Sequence, residues 1–235
     1  LPPYEVHTLE PPPGKNTIKA DLHVHTKYSF DCSMSIEPII ARCVKLGVDC
    51  IAVADHGTIV GALEMKRQAP FQVIVAEEIL TPLGEVMGLF LSEEIPSGMS
   101  VEETIKRIKA QGGLVGLPHP FDRLRGINHR GCDEIERLVG QIDIVEVFNA
   151  RTLPLGGADS RAALFAARHN LLRSAGSDAH TPREIGHAYV ELPRFEDVAQ
   201  FRESLSQGRV YGRHTCPMVH FRSMWNTLSK RLFKQ

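Results

Sequence analysis

What this sequence lacks already excludes several classes of protein. It has no C-x-x-C pair: the five cysteines, Cys32, Cys43, Cys50, Cys132 and Cys216, are scattered and odd in number. That argues against a disulfide framework and against a zinc site built from thiolates, and fits reduced thiols in a cytoplasmic setting. Neither charge sign dominates. Lys+Arg 27 against Asp+Glu 28 gives a net charge of -1, so the bulk basicity of an extended nucleic-acid surface is missing. No apolar run approaches the ~20 residues of a membrane span, and no charged segment followed by an apolar core marks a signal peptide. There is no internal repeat and no low-complexity tract.

What is present is an ordinary globular composition, 43% hydrophobic and 23% charged, over 235 residues. This length suits one large α/β domain or two small ones. The proline-rich opening, "LPPYEVHTLEPPPGKN", reads as an extended lead-in covering residues 1–17. Apolar runs then alternate with amphipathic ones. "TIKADL", "VDCIAVA", "FQVIVA", "VMGLFL", "GLVGLP", "IDIVEVF" and "LLRSAG" read as buried strands, with "HAYVEL" weaker.

Helical patterns lie between several of them. "SIEPIIARCVKLG" has Ser35 as N-cap, Pro38 in the first turn and Gly47 as the stop. "SVEETIKRIKAQGG" carries a capping box, Ser100 with Glu103. "ADSRAALFAARHN" and "FEDVAQFRESLSQG" complete the set. "VMGLFL" follows its neighbour through the turn "LTPLGE" and suits a hairpin. The rest alternates strand and helix, which predicts a parallel sheet closed into a (β/α)7 TIM-like barrel over residues 18–215, with an open doubly wound sheet as the competitor. Residues 216–235, with Trp225, Leu228 and Leu232 at helical spacing, are expected to pack on the barrel or at a dimer contact; the spacing leaves oligomeric state open.

The candidate chemistry sits where strands end. In "DLHVHTKYSFD", His23 and His25 are two apart on a strand and aim at one point, with Asp31 following. "VDCIAVADHG" runs into Asp55 and His56, "FQVIVAEEI" into Glu77 and Glu78, and "TPLGE" supplies Glu85. "GLVGLPHPFD" delivers His119, and "LLRSAGSDAH" delivers Asp178 and His180. Singly, each has a structural explanation as a cap or turn residue; Asp55 and Asp178 suit helix capping as well as chemistry. Jointly, they fall past the carboxyl ends of separate strands, which open onto one face of a parallel barrel. Imidazole and carboxylate without thiolate is a donor set for manganese, iron or zinc. So many such groups meeting at one place need cations to offset their charge.

The motifs "DLHVHTKYSFD", "ADHG", "EEI", "PHP" and "GSDAH", in this order, resemble the PHP (polymerase and histidinol phosphatase) family over about residues 18–191. The resemblance implies a distorted barrel of seven β/α units holding two or three divalent metal ions and hydrolysing phosphoesters through a metal-activated hydroxide. It implies metal ligation by His23, His25, Asp31, His56, Glu78, His119, Asp178 and His180, with Glu77 in place of Glu78 if the register slips by one. Relatives often carry a histidine where "EVMGLF" places Glu85; a carboxylate there still ligates such metals and favours harder ions. Asp178, His180 and His56 are the candidate acid–base groups, although ligation ranks first for His180 and His56.

Phosphate recognition needs cations beside the metals. Arg151 and Asn149 in "EVFNARTLP" lead, followed by Arg183 and by Arg123 and Arg125 in "PFDRLRG". His187, Arg209 and Arg213 are more distant candidates. The substrate expected is a small phosphomonoester or nucleotide. A nuclease acting on RNA or DNA ends and a non-catalytic metal-binding domain are the alternatives, and a membrane partner is not expected.

Overall fold

The computed structural model describes residues 16–122, 125–126, 129–153 and 157–216, apart from the side chains of 129–132. The expected lead-in, nearly all of the C-terminal segment, and Arg123 lie outside the described residues. The strands are β1 (Thr17–Val24), β2 (Cys50–His56), β3 (Gln72–Thr81), β4 (Gly84–Leu89), β5 (Leu114–Leu117), β6 (Ile144–Asn149), β7 (Leu172–Gly176), β8 (Ala188–Pro193) and β9 (Arg209–Gly212). The helices are α1 (Ile36–Leu46), α2 (Val60–Gln68), α3 (Val101–Ala110), α4 (His129–Leu138), α5 (Ala158–Arg168) and α6 (Val198–Ser206).

One nine-stranded sheet runs in the order β7-β6-β5-β4-β3-β2-β1-β8-β9. β1, β2 and β3 are parallel, as are β5, β6 and β7. β4 is the hairpin partner of β3, as the turn "LTPLGE" suggests, and runs antiparallel to β5 as well. β8 lies antiparallel to the first half of β1, and β9, unforeseen in the sequence, pairs with β8.

The sheet curls until its two parallel halves meet. Asp178 N donates to His23 O at 2.7 Å, His25 N donates to Ala179 O at 3.1 Å, and Val24 bridges Ala179 in parallel. The carboxyl ends of β1 and β7 are thereby joined, while β8 and β9 widen the other end. The result is a distorted, nearly closed TIM-like barrel. Gly176 permits the closure: a Cβ there would lie 2.2 Å from the Cβ of His23.

Most strands are buried on both faces, which is why they read as continuous apolar runs. α3 shows the local logic. Ser100 accepts from Glu103 N at 3.2 Å and starts the helix, and Val101, Ile105 and Ile108 are buried on its inner face. Truncating Ile105 to alanine is expected to cost about 2–5 kcal/mol. The Glu103 side chain turns to Arg107, 3.1 Å away, so the capping box is only half made. α1 ends as expected, with Gly47 left-handed at φ 63, but Ser35 makes no side-chain cap bond. Cys32, Cys43 and Cys50 are buried free thiols, and burial pushes Cys43 up to about 12. Among the described residues, no helix is long and apolar enough to cross a membrane.

Candidate metal centre

Strand alternation selects the inward-facing residues. β2 and β3 pair His56 with Glu78 and Asp55 with Glu77, so each pair shares a face. His56 and Glu78 face the barrel mouth, with His56 Nε2 3.5 Å from Glu78 Oε2. Asp55 and Glu77 face the other way. Asp55 accepts from Thr26 N and Oγ1, both at 2.6 Å, and thereby anchors the loop after β1 instead of capping α2. Glu77 accepts from Ile95 N at 2.8 Å. Glu85, which pairs with Leu80 across the hairpin, comes round to the same mouth as Glu78.

The imidazoles crowd around Glu78. His23 Nε2 lies 3.2 Å from Glu78 Oε2, His25 Nε2 3.3 Å from the same oxygen, and His119 Nε2 2.9 Å from Oε1. His25 Nε2 is also 3.3 Å from Asp178 Oδ1. His180 Nε2 is 2.7 Å from Asp31 Oδ2, which is 3.8 Å from His56 Nε2. Glu85 reaches His119 at 3.5 Å and His56 at 3.9 Å. The ligands implied by the resemblance thus meet in one cluster. Two of them hold left-handed backbone, His119 at φ 27 and Asp178 at φ 52, conformations that cost non-glycine residues free energy and concentrate at functional sites.

Supporting groups complete the cluster, and several were not foreseen. Glu146, on β6, lies 3.1 Å from His23 Nδ1, accepts from His119 N at 2.8 Å and from Asn149 Nδ2 at 2.9 Å. It orients two candidate ligands, as a carboxylate behind a metal-bound histidine does. Asp21 accepts from Ser177 N at 2.8 Å and Gly186 N at 3.0 Å, fixing the turn that carries Asp178. Nothing in "IDIVEVF" or "IKADL" distinguishes these acids from ordinary strand residues, because every neighbour on both faces is buried.

The candidate phosphate-binding side chains are sorted differently from the expectation. Asn149 Nδ2 donates to Asp178 Oδ2 at 3.3 Å. Arg151 is buried beneath the cluster, its guanidinium 3.4 Å from Asp178 O and 3.6 Å from Glu184 Oε1. Arg183 is exposed, and its neighbour Glu184 is the residue that turns inward. Arg125, a lesser expectation, is the cation at the mouth. It pairs with Asp178, donates to Asp122 at 3.1 Å and keeps a quarter of its side chain exposed.

The electrostatics describe a cation site balanced by protons. Burial opposes charge on His23, yet Glu78, Glu146 and Asp178 outweigh it and raise that imidazole well above its ordinary value. His25 is raised to about 10 in the same way, burial being outweighed by Asp178 and Glu78. Burial and the Glu78 charge push Glu85 up to about 8. Asp178 sits well below the carboxylate range, since Arg125 and His23 overcome its burial. Donor atoms of His23–His25–Glu78, His25–Asp178–His180, His25–Asp31–His56, His56–Glu78–Glu85 and His23–His119–Asp178 lie within 4.8 Å of one another in each group. Buried Glu85 Oε2 and the Nδ1 atoms of His25, His56 and His119 have no hydrogen-bond partner among the described residues. Overlapping N,O triads of this kind fit divalent cations, which would displace the protons now offsetting the carboxylates.

Barrel and cluster together define an α/β barrel protein with a metal-type centre at the carboxyl ends of its strands. The PHP domain profile matches residues 21–137, and a PHP-associated profile matches residues 156–210. An uncharacterized protein of Methanocaldococcus jannaschii, MJ1587, is 41% identical over 149 residues, covering 57% of this chain and 82% of the relative. The chain belongs to the PHP domain family. Its fold resembles a two-domain Bacteroides vulgatus protein containing a predicted PHP-like metal-dependent phosphoesterase, with TM-score 0.70, 18% identity, and 89% of this chain and 69% of the other covered. It also resembles the lesion-specific endonuclease PfuEndoQ of Pyrococcus furiosus, with TM-score 0.61, 17% identity, and 83% and 57% covered.

Proposed function

We propose that this protein is a metal-dependent phosphoesterase acting on a small phosphomonoester or nucleotide-type phosphate. The observation that carries this reading is the buried convergence of His23, His25, Asp31, His56, Glu78, Glu85, His119, Asp178 and His180, with Arg125 beside them. Those histidines and carboxylates would hold the cations. Divalent ions in such a site supply Lewis-acid polarisation of phosphoryl oxygens and lower the pKa of water.

The chain's own groups do the rest. Arg125 is placed to orient a phosphoryl oxygen and offset its charge, as guanidinium forks do. Asp178, between Arg125 and His25, is placed to hold a proton from the attacking water. His56 and His180 stand at the side nearer Asp31: His56 can protonate a leaving oxygen when free to do so, whereas burial and the Arg151 charge lower His180 to about 4 and suit it to accepting a proton or holding a cation. Phe30, exposed and stacked on His56 with ring centroids 4.8 Å apart, offers a flat face for the organic part of the substrate. That exposed ring, with Tyr28 also exposed near it, is equally suited to an unstacked nucleobase and keeps a nuclease as the second reading.

Manganese-loaded protein should be assayed against p-nitrophenyl phosphate, a nucleoside bisphosphate and a short labelled oligonucleotide. Metal-dependent turnover of either small ester is the expected result. Cleavage of the oligonucleotide alone would transfer the assignment to the nuclease. Silence on all three, with metal content verified, would leave a non-catalytic metal-binding domain.

A further inference from the structure

Outside the barrel mouth, a cavity of about 390 Å³ opens between α1 and the antiparallel β8–β9 pair. Its volume is in the range of pockets that take small ligands, ~300–1,000 Å³. Lys19, Arg42, Lys45, His187 and Arg213 line it, and Tyr211 forms part of its wall. These cations come from β1, α1, the loop before β8 and the residue after β9, so only the fold assembles them. No aspartate or glutamate lines the pocket among the described residues. Asp49 accepts from Lys19 N, Asp21 accepts from Ser177 N and Gly186 N, and Glu191, opposite Lys19 in the β1–β8 ladder, accepts from Thr17 Oγ1.

Positive charge gathered at Arg42, Lys45 and Arg213 repels itself, and an anion held between them offsets that repulsion. Burial and the charges of Arg213 and Arg42 drive His187 down to about 4, so its imidazole is neutral near pH 7. Arg42 Nε is out of contact with solvent and has no hydrogen-bond partner among the described residues. The walls are preformed: Arg213 N donates to His187 O at 2.8 Å, and Tyr189 and Tyr211 stack with centroids 5.3 Å apart. Lys45 and Arg213 are exposed at the rim, while Lys19, Arg42 and His187 are half-buried below them. None of these residues belongs to the metal centre.

We propose that this pocket binds a small ligand through its phosphate group, at a site separate from the metal centre. A confined depression walled by one helix and two strands suits a compact phosphorylated molecule better than a nucleic-acid backbone, which needs an extended basic track. Arginine forks and lysine ammonium groups supply charge-assisted bonds to phosphate oxygens, and neutral His187 can donate one more.

The test is an NMR titration of zinc-loaded protein at pH 7.5 with inorganic phosphate, AMP, adenosine and a short oligonucleotide, following the His187 ring signal. The expected result is a saturable shift with phosphate and AMP but none with adenosine. Tighter binding of AMP than of phosphate would identify a nucleotide, and equal binding would identify the free anion. Lys45→Glu, on the exposed helix end, should weaken the interaction by roughly tenfold, the scale of one charge-assisted bond. Arg42→Ala should weaken it further. His23→Ala, which disrupts the metal centre, should leave it intact. A His187 signal that stays still at saturating AMP would overturn the proposal. So would unchanged affinity in both Lys45→Glu and Arg42→Ala, equal binding of adenosine, or much tighter binding of the oligonucleotide.

Discussion

The two polar concentrations in this barrel are opposites. At the mouth, Asp31, Glu78, Glu85, Asp178 and Glu146 face a ring of imidazoles, and protons are held to balance them. On the outer wall, Lys19, Arg42, Lys45 and Arg213 share a pocket with His187, whose imidazole is depressed by burial and by the Arg213 and Arg42 charges. The first group suits cations, the second an anion. The backing differs as well. Mouth residues are fixed by Glu146, Asp21 and strained backbone at His119 and Asp178, whereas the outer rim is mostly long, flexible side chains at the surface.

Breaking the mouth should have the largest effect. Asp178→Ala or His23→Ala is expected to lower phosphoester turnover by roughly 10³-fold or more and to reduce bound metal by elemental analysis, because each contributes to more than one of the donor triads. Full activity in either variant would remove the assignment of the centre. Chelation of the metal-loaded protein should come next: activity is lost, and stability falls by the binding free energy, about 4 kcal/mol if metal stood at a thousand times its dissociation constant, read as a lower melting temperature. Because His25 and Glu85 hold protons up to about 10 and 8, metal must displace them. Affinity should therefore weaken as pH falls from 8 to 6, measured with a competing chelator.

A finer cut separates ligands from their supports. Glu146→Gln keeps the shape but removes the charge behind His23 Nδ1, and metal affinity should fall about 10–100-fold while the fold persists. An unchanged dissociation constant would make Glu146 a packing residue. The smallest effect belongs to the outer wall. His187 is depressed to about 4 from an unfolded value of 6.5, so the unfolded chain binds more protons in that window. Its contribution to stability is complete above pH 6.5 and is lost as pH falls through 4, with burial first and then Arg213 and Arg42 opposing its charge. His187→Gln should flatten the fall in melting temperature between those values, leaving metal content unchanged.

The site was legible wherever chemistry and spacing coincided. His23 and His25, two apart at a strand end, and Asp178 and His180, again two apart, announced shared faces, and their order along the chain carried the family resemblance. Glu146 and Asp21 were not legible, since a carboxylate within a strand buried on both faces has no periodic signature. Arg125 was one of several arginines whose loop could lead anywhere. β9 and the antiparallel placing of β8 against β1 were obscured because pairing direction depends on which neighbour a strand finds, not on its own composition.

By itself, the sequence determined the donor chemistry, the order in which donors arrive, and an alternation of strands and helices that closes into a barrel. Tertiary structure decided that Glu78 and not Glu77 enters the cluster, that Arg125 and not Arg183 approaches it, and that cations from distant elements share an outer pocket. The reason is geometric. Alternation makes neighbours face opposite ways, but only curling and pairing of the whole sheet determine which way is inward.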